Sequence, residues 1–283
     1  MAAKFHARQL QSLAERIHTD IDAWCVETMA DEQRTHLGAS LIGEDCDAKI
    51  WYAFRWANKE VFSGRMLRLF ERGTLEEQRL LRYLRGIGFK IHDVDEHGQQ
   101  FRIADKTGHY GGSTDGLGVP PYPEFPIKLI LEFKTHNAGS FKLLHEKGVI
   151  LSKPKHWAQM CSYGKGFNVE YGLYIGVGKN DDDLHIECLP LDFGAADDLH
   201  IRAERIIRSQ VRPAKIALNP SHFECKMCAF SSQCHSGAPL PVNCRTCVHA
   251  HAIEGKQWGC AFHKLVIPSD FIPKGCANWQ PIA

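Results

Sequence analysis

Asp115, Glu132 and Lys134 have the residue types and spacing to attack a phosphate ester. Asp115 lies in the Gly-rich stretch Gly111-Gly112-Ser113-Thr114-Asp115-Gly116-Leu117-Gly118. Glu132 and Lys134 close the run Ile127-Lys128-Leu129-Ile130-Leu131-Glu132-Phe133-Lys134. An apolar run after a Pro-rich segment reads as a buried strand. Side-chain alternation then puts Glu132 and Lys134 on one face. Two carboxylates suit a hard divalent cation, with the Phe133 carbonyl as a further oxygen ligand. Lys134 would orient or deprotonate a nucleophilic water and offset charge developing on phosphate. Taken alone, E-x-K equally describes a strand-end ion pair.

The surrounding segments must position these groups. Helical spacing runs from Phe5 to Met29, with Leu10, Leu13, Ile17, Ile21 and Trp24 as a packing stripe. Ser40 reads as an N-cap ahead of an aromatic helix through Asp47 to Trp56, with Cys46 near its start. Ser63 to Gly86 reads as a long helix. At about 100° per residue, Leu67, Phe70, Thr74, Glu77, Leu81 and Leu84 share one side, making Glu77 an inward carboxylate that needs a metal or a lysine. Glu76 points elsewhere and is expected in solvent. Arg65, Arg68, Arg72 and Arg79 form a stripe that is either a solvated face or a phosphate track.

Phe89 to Asp95 and Gln99 to Asp105 read as a hairpin. Thr135 to Leu151 is expected to be partly loop, with His136 and His145 in solvent as the simpler reading and contact with substrate as the alternative. A helix opens at Lys153-Pro154 and sets Gln159 and Tyr163 one turn apart. Strands follow at Tyr171 to Val177 and Leu184 to Leu189, then a helix from Asp192 to Val211. The expected fold class is α/β, with a central mixed sheet flanked by helices.

Composition sets the outer bounds. A 283-residue chain with 44% hydrophobic and 24% charged residues is that of a globular protein. Its apolar runs are too short to span a bilayer, and the N-terminus has no apolar signal core, so a cytoplasmic protein with no membrane partner is expected. A net charge of +1 announces no nucleic-acid partner, so any such binding must use a local patch. Most of the eleven cysteines cluster near the C-terminus in C-x2-C groups, which favours metal or cluster ligation over disulfides. Cys25, Cys161 and Cys188 stand apart and read as core thiols.

In order, Gly73-x3-Glu77, Asp115, Glu132-x-Lys134 and Gln159-x3-Tyr163 resemble the PD-(D/E)xK nuclease superfamily, on its RecB-like branch. The resemblance spans roughly Cys46 to Cys234, with Thr114 in place of the Pro of the name-giving motif. It implies a restriction-endonuclease-like core and Mg²⁺ or Mn²⁺ bound by Glu77, Asp115, Glu132 and Phe133. It also implies Lys134 as catalytic lysine, with Gln159 and Tyr163 in the motif helix. Cys225-x2-Cys228-x5-Cys234, with Cys46 ahead of the core, resembles the AddB-type and CRISPR-adaptation nucleases, in which four such thiolates hold a [4Fe–4S] cluster. Zinc at the same thiolates is the rival. The implied activity is a metal-dependent DNA exonuclease in recombination or end processing, of a bacterium or phage-infected host. A recombination or single-strand-binding protein would be a fitting partner. A structure-selective endonuclease and a non-catalytic DNA-binding assembly module are the alternatives.

The organisation expected is an N-terminal helix (1–36), a nuclease core with its cluster (37–237) and a C-terminal appendage (238–283). In the appendage, Cys244-x2-Cys247-x12-Cys260-x15-Cys276 suits a structural Zn²⁺, with His249, His251 or His263 able to replace a Cys. Trp258, Phe262, Phe271 and Trp279 would pack around it or stack on bases.

Overall fold

The computed structural model describes residues 6–29, 33–59 and 61–282; Phe5 lies outside them. The chain begins α1 (Ala7–Met29), β1 (Leu37–Gly38), α2 (Ala39–Ile42), α3 (Asp47–Phe54), α4 (Gly64–Gly86) and β2 (Lys90–His92). It continues β3 (Arg102–Ala104), β4 (Tyr110–Ser113), β5 (Gly116–Val119), β6 (Leu129–His136), α5 (Ala138–Ser152), α6 (Pro154–Phe167) and β7 (Tyr171–Gly178). It ends β8 (Leu184–Pro190), α7 (Phe193–Arg208), α8 (Phe223–Lys226), α9 (Ser231–Ser236), β9 (Ala250–Ile253), β10 (Gln257–Cys260) and β11 (Leu265–Ile267). Among the described residues no helix is long and apolar enough to cross a membrane.

The expected central mixed sheet is present, in the order β2-β5-β6-β7-β8. Only β6 and β7 are parallel, paired from Leu129↔Tyr171 to His136↔Gly178. Alternation along β6 sends Leu129, Leu131 and Phe133 to one face, where they meet Leu80, Leu81 and Leu84 of α4. Ile130 and Tyr174 look the other way, into a core shared with Met160, Cys161 and Tyr163 of α6 and Ile206 of α7. Helices thus cover both faces, each buried Leu or Ile contributing roughly 1.5–3 kcal/mol. Ser63 caps α4, accepting from the Met66 N–H at 3.4 Å.

Several local expectations are overturned. Ser40 lies inside α2 and caps nothing; the N-cap residue of α3 is Cys46. The strands β2 and β3 meet only at the tip of their loop, by the Val94↔Gln100 bridge. They then diverge, β2 to β5 and β3 to β4, because each finds a longer partner elsewhere. Residues 138–152 are helical, the N–H of Ser140 bonding to Asn137 Oδ1 at 2.8 Å. The helix breaks at Gly148 (φ 69°), where Glu187 accepts from the Val149 N–H at 2.8 Å. Cys188 is exposed on the edge strand β8, whereas Cys25 and Cys161 are buried. The stripe of α1 is exposed from Leu10 to Trp24 rather than buried as a packing face. Phe70 and Thr74 are also exposed, so the inward face of α4 is narrower than its periodicity predicts.

The C-terminal strands form a separate three-stranded sheet, β11-β10-β9, yet Trp258, Ala250 and Ile267 join the same core as Ile50, Trp51 and Phe54. Two buried arginines make the junction. Arg55 donates to the carbonyls of Arg245 (3.1 Å) and Ala250 (2.9 Å). Arg245 donates to Phe54 (3.0 Å) and Thr35 (2.7 Å) and lies over the Trp56 ring at 4.0 Å.

Candidate active site

The chain crosses from the small sheet β1-β4-β3 to the central sheet at Thr114-Asp115. Thr114 is fully buried, its hydroxyl 3.2 and 3.3 Å from the carbonyls of Gly116 and Leu131. It thereby ties the turn to β6. The turn aims Asp115 at β6, where its Oδ2 accepts from the Phe133 N–H at 2.7 Å. N–H and C=O of one strand residue point to the same side, so the Phe133 carbonyl faces the Asp115 turn too.

On β6, Glu132 and Lys134 share the face toward α6, and the Lys134 ammonium contacts Glu132 Oε1. Glu132 is fully buried, and beyond the Lys134 contact its carboxylate has no hydrogen-bond donor among the described residues. Glu77 reaches the same place from α4, its Oε1 accepting from Gln100 Nε2 at 2.9 Å. Three carboxylates therefore surround one ammonium. Burial pushes Glu77 up to about 7, helped by the Asp115 charge. Burial likewise pushes Glu132 up to about 7, opposed by Lys134 and reinforced by Asp115. Asp115 is raised, again chiefly by burial. Burial works against a charged Lys134, but Glu132, Asp115 and Glu77 together hold its pKa above the usual lysine value. Such mutual perturbation in a cleft is the electrostatic pattern of a functional site.

Gln159 and Tyr163 face this group from α6, Gln159 Nε2 donating to Tyr163 Oη at 3.1 Å. Burial and the Glu132 carboxylate raise the Tyr163 phenol. A Cβ on Gly112 would meet Tyr163 Oη at 2.8 Å, so that glycine makes room for the tyrosine. Glu77, Asp115, Phe133 and Lys134 line a cleft of about 1440 Å³, whose walls include Arg34, Lys49 and Phe230.

Other expectations need correction. Glu76 is not solvated; Arg79 Nε holds its Oε2 at 2.7 Å, with 14% of the Glu76 side chain exposed. Most of the arginine stripe is paired rather than free: Arg68 with Asp22, Arg72 with the Lys179 carbonyl, and Arg79 with Glu76 and Asp182. His136 is buried rather than in solvent, while His145 is exposed. His136 Nε2 and His156 Nδ1 lie 2.9 and 2.8 Å from the one Tyr174 hydroxyl, and burial pushes the two imidazoles down to about 4 and about 3. This trio was not singled out in the sequence. Alternation along β6, with His136 on the Glu132/Lys134 face, was the available signal.

Within each thiol group the members feel one another's charge. Burial raises the Cys225 and Cys228 thiols, and each also feels Cys46 and Cys234 as charged neighbours. The residues flanking Cys46 are held by Arg202, which grips Asp47 Oδ1 (2.8 Å) and the carbonyls of Ile42 (2.7 Å) and Glu44 (2.6 Å). Arg212 Nη1 donates to Cys234 Sγ at 3.3 Å, a cation suited to an anionic thiolate centre. Cys244, Cys247, Cys260 and Cys276 line a cavity of about 330 Å³ together with His249 and His263. Burial and then the other three thiols push Cys244 up to about 11. Cys276 Sγ lies 3.8 Å from His263 Nε2, whereas His251 is not among the lining residues. Trp258 is buried beneath this sheet, while Phe262 and Phe271 are exposed. Among the described residues no three His, Cys, Asp or Glu are drawn tightly enough to form a ready-made metal site.

No protein-family model matches the chain, and no curated protein matches it. Among solved structures, it is similar to an alkaline exonuclease (LHK-Exo) from Laribacter hongkongensis, at 15% identity over 66% of this chain and 90% of that one, TM-score 0.44. LHK-Exo in complex with dAMP gives 14% identity over the same shares, TM-score 0.41. SSO0001 gives 16% identity over 79% of this chain and 98% of that one, TM-score 0.47. Likenesses of this size assign no function to the chain.

Proposed function

We propose that this chain is a divalent-cation-dependent deoxyribonuclease that hydrolyses phosphodiester bonds. One observation carries the reading: Glu77, Asp115 and Glu132 converge on Lys134 beside a cleft, three carboxylates to one ammonium, with Glu132 Oε2 lacking a donor among the described residues. An all-oxygen donor set with excess negative charge fits Mg²⁺ or Mn²⁺. Asp115, Glu132 and the Phe133 carbonyl would be its ligands, with Glu77 beside them. A cation bound there polarises the phosphate and lowers the pKa of a water. Lys134, an ammonium at neutral pH, orients the attacking water and offsets charge on the phosphate rather than acting as base. Gln159 and Tyr163 keep the Glu132 side of the site in register.

Action at DNA ends is the form of this activity we favour, leaving a 5′-phosphate and a 3′-hydroxyl. The test is end-labelled linear duplex, single strands and covalently closed circles, each with Mg²⁺ or Mn²⁺, with wild type beside Glu132→Ala. Loss of label from one end with intact circles, and a dead variant, is the expected result. Cutting of circles would move the protein to the endonuclease reading. DNA binding without cutting by any form would leave an assembly module.

The thiols extend the proposal. Cys46, Cys225, Cys228 and Cys234 suit a [4Fe–4S] cluster that ties α3 to the α8–α9 segment. Cys244, Cys247, Cys260 and Cys276 suit a structural Zn²⁺, with His263 adjacent. Anaerobically purified protein should be brown and contain iron and zinc. Colourless protein with two zinc ions per chain would assign zinc to both sites.

A further inference from the structure

Leu10, Leu13, Ile17, Ile21 and Trp24 lie on α1 within an arc of about 80°, and all are exposed, from 47% (Ile21) to 59% (Trp24). The contact of α1 with α4 uses another face. There Cys25 is buried, Asp22 pairs with Arg68, and a Cβ on Gly64 would lie 2.5 Å from the Asp22 carbonyl oxygen. The helix is therefore well seated while its apolar stripe stays open. A contiguous patch of large apolar side chains marks an interaction surface.

Two features of the stripe specify what covers it. The first is spacing: the apolar residues stand at intervals of 3, 4, 4 and 3, the same read in either direction from Ile17. A stripe with that symmetry is self-complementary about a two-fold axis at Ile17. An antiparallel second copy sets Leu10 opposite Trp24, Leu13 opposite Ile21, and Ile17 opposite itself.

The second feature is charge. Arg16 and Asp20 lie on the same flank of the stripe, 82% and 70% exposed, 3.9 Å apart within one helix. In an antiparallel pair like flanks meet. Arg16 of one copy then stands about two residues, roughly 3 Å along the axis, from Asp20 of the other, and the reverse contact repeats it. Gln9 and Glu27, on the same flank, meet at the outer ends. A parallel pair would set this flank against the opposite one and lose the match.

We propose that α1 is a dimerisation helix through which two copies of this chain pair antiparallel about Ile17. The inference is independent of the nuclease reading, since it uses no active-site residue.

The test is sedimentation velocity of the full chain over the micromolar range. Wild type should shift from monomer to dimer, and Ile17→Glu should raise the dissociation constant at least about tenfold with unchanged circular dichroism. Arg16→Asp and Asp20→Arg should each weaken self-association. An equal mixture of these two variants should pair more tightly than either alone, because oppositely charged flanks then meet between chains rather than within one. A monomeric wild type throughout, or a dimer indifferent to Ile17→Glu, would overturn the proposal. Charge variants that gain nothing on mixing would overturn the antiparallel geometry.

Discussion

Arg55 and Arg245 are buried as completely as Glu132, at 0%, 1% and 0% exposure, but their charges are handled in opposite ways. Among the described residues the arginines have no carboxylate partner. They are satisfied by backbone carbonyls and by the rings of Trp51, Trp56 and Trp258, leaving only each Nε unbonded. Burial lowers their pKa values to about 10 and about 9, so both stay charged at neutral pH. Glu132 has a charged partner on Oε1, yet its Oε2 lacks a donor among the described residues and its neighbours Asp115 and Glu77 repel it. The first assembly closes the joint between α3 and the C-terminal sheet. The second opens on a cleft. The arginines are held by bonded groups on most of their donors, whereas Glu132 sits among groups of its own charge beside a cleft.

The sharpest way to break this contrast is to neutralise one member of each region. Glu132→Gln should reduce DNA cleavage by roughly a thousandfold or more while leaving the melting temperature of the metal-free protein at pH 7 unchanged or higher. Arg245→Ala should do the reverse. It strips two charge-assisted hydrogen bonds and the aromatic stacking from the core, costing roughly 3–5 kcal/mol of stability by denaturant titration. If Glu132→Gln unfolds the protein as readily as Arg245→Ala, the two regions are not different in kind.

A smaller effect is expected at Gly112. Gly112→Ala drives a methyl against Tyr163 Oη, which should lower kcat by about tenfold with little change in DNA affinity. Equal losses in kcat and binding would mean that Tyr163 acts on substrate rather than on the Glu132 side of the site.

The smallest effect is in pH dependence. Glu77 and Glu132 have folded pKa values raised from 4.5 to about 7, so the folded state binds more protons than the unfolded chain in that window. Their contribution is full below about 4.5 and is lost as pH rises to 7. Buried His136 and His156, lowered from 6.5 to about 4 and about 3, act in the opposite sense over those ranges. The difference between Glu132→Gln and wild type isolates the carboxylate. The variant's advantage in metal-free melting temperature should grow from pH 4.5 to 7, and added Mg²⁺ or Mn²⁺ should shrink it by stabilising wild type alone.

What the sequence made legible follows from the range of the interactions involved. Glu132 and Lys134 on one strand face, Ser63 as a cap and Pro154 opening α6 depend on a few neighbouring residues, and each is where local rules put it. Strand partners are chosen at long range. Hence a hairpin was expected where β2 and β3 in fact enter different sheets. The helix at 138–152 was obscured by Gly139 and Gly148, weak helix formers. It is held by Asn137 and by Glu187, 38 residues from the Val149 N–H that it accepts. The stripe of α1 was visible as a period, but a period names a face and not what covers it. Likewise, the His136–Tyr174–His156 trio needs the parallel register of β6 and β7 to be seen.

The most direct test of the central claim is cleavage of end-labelled linear DNA in Mn²⁺ by wild type and Lys134→Ala, with DNA binding measured on the same samples. The account predicts that wild type cuts and that the variant binds DNA but does not cut it. Equal cutting by Lys134→Ala would contradict the assignment of Lys134 as the cation that orients water and offsets charge at the phosphate.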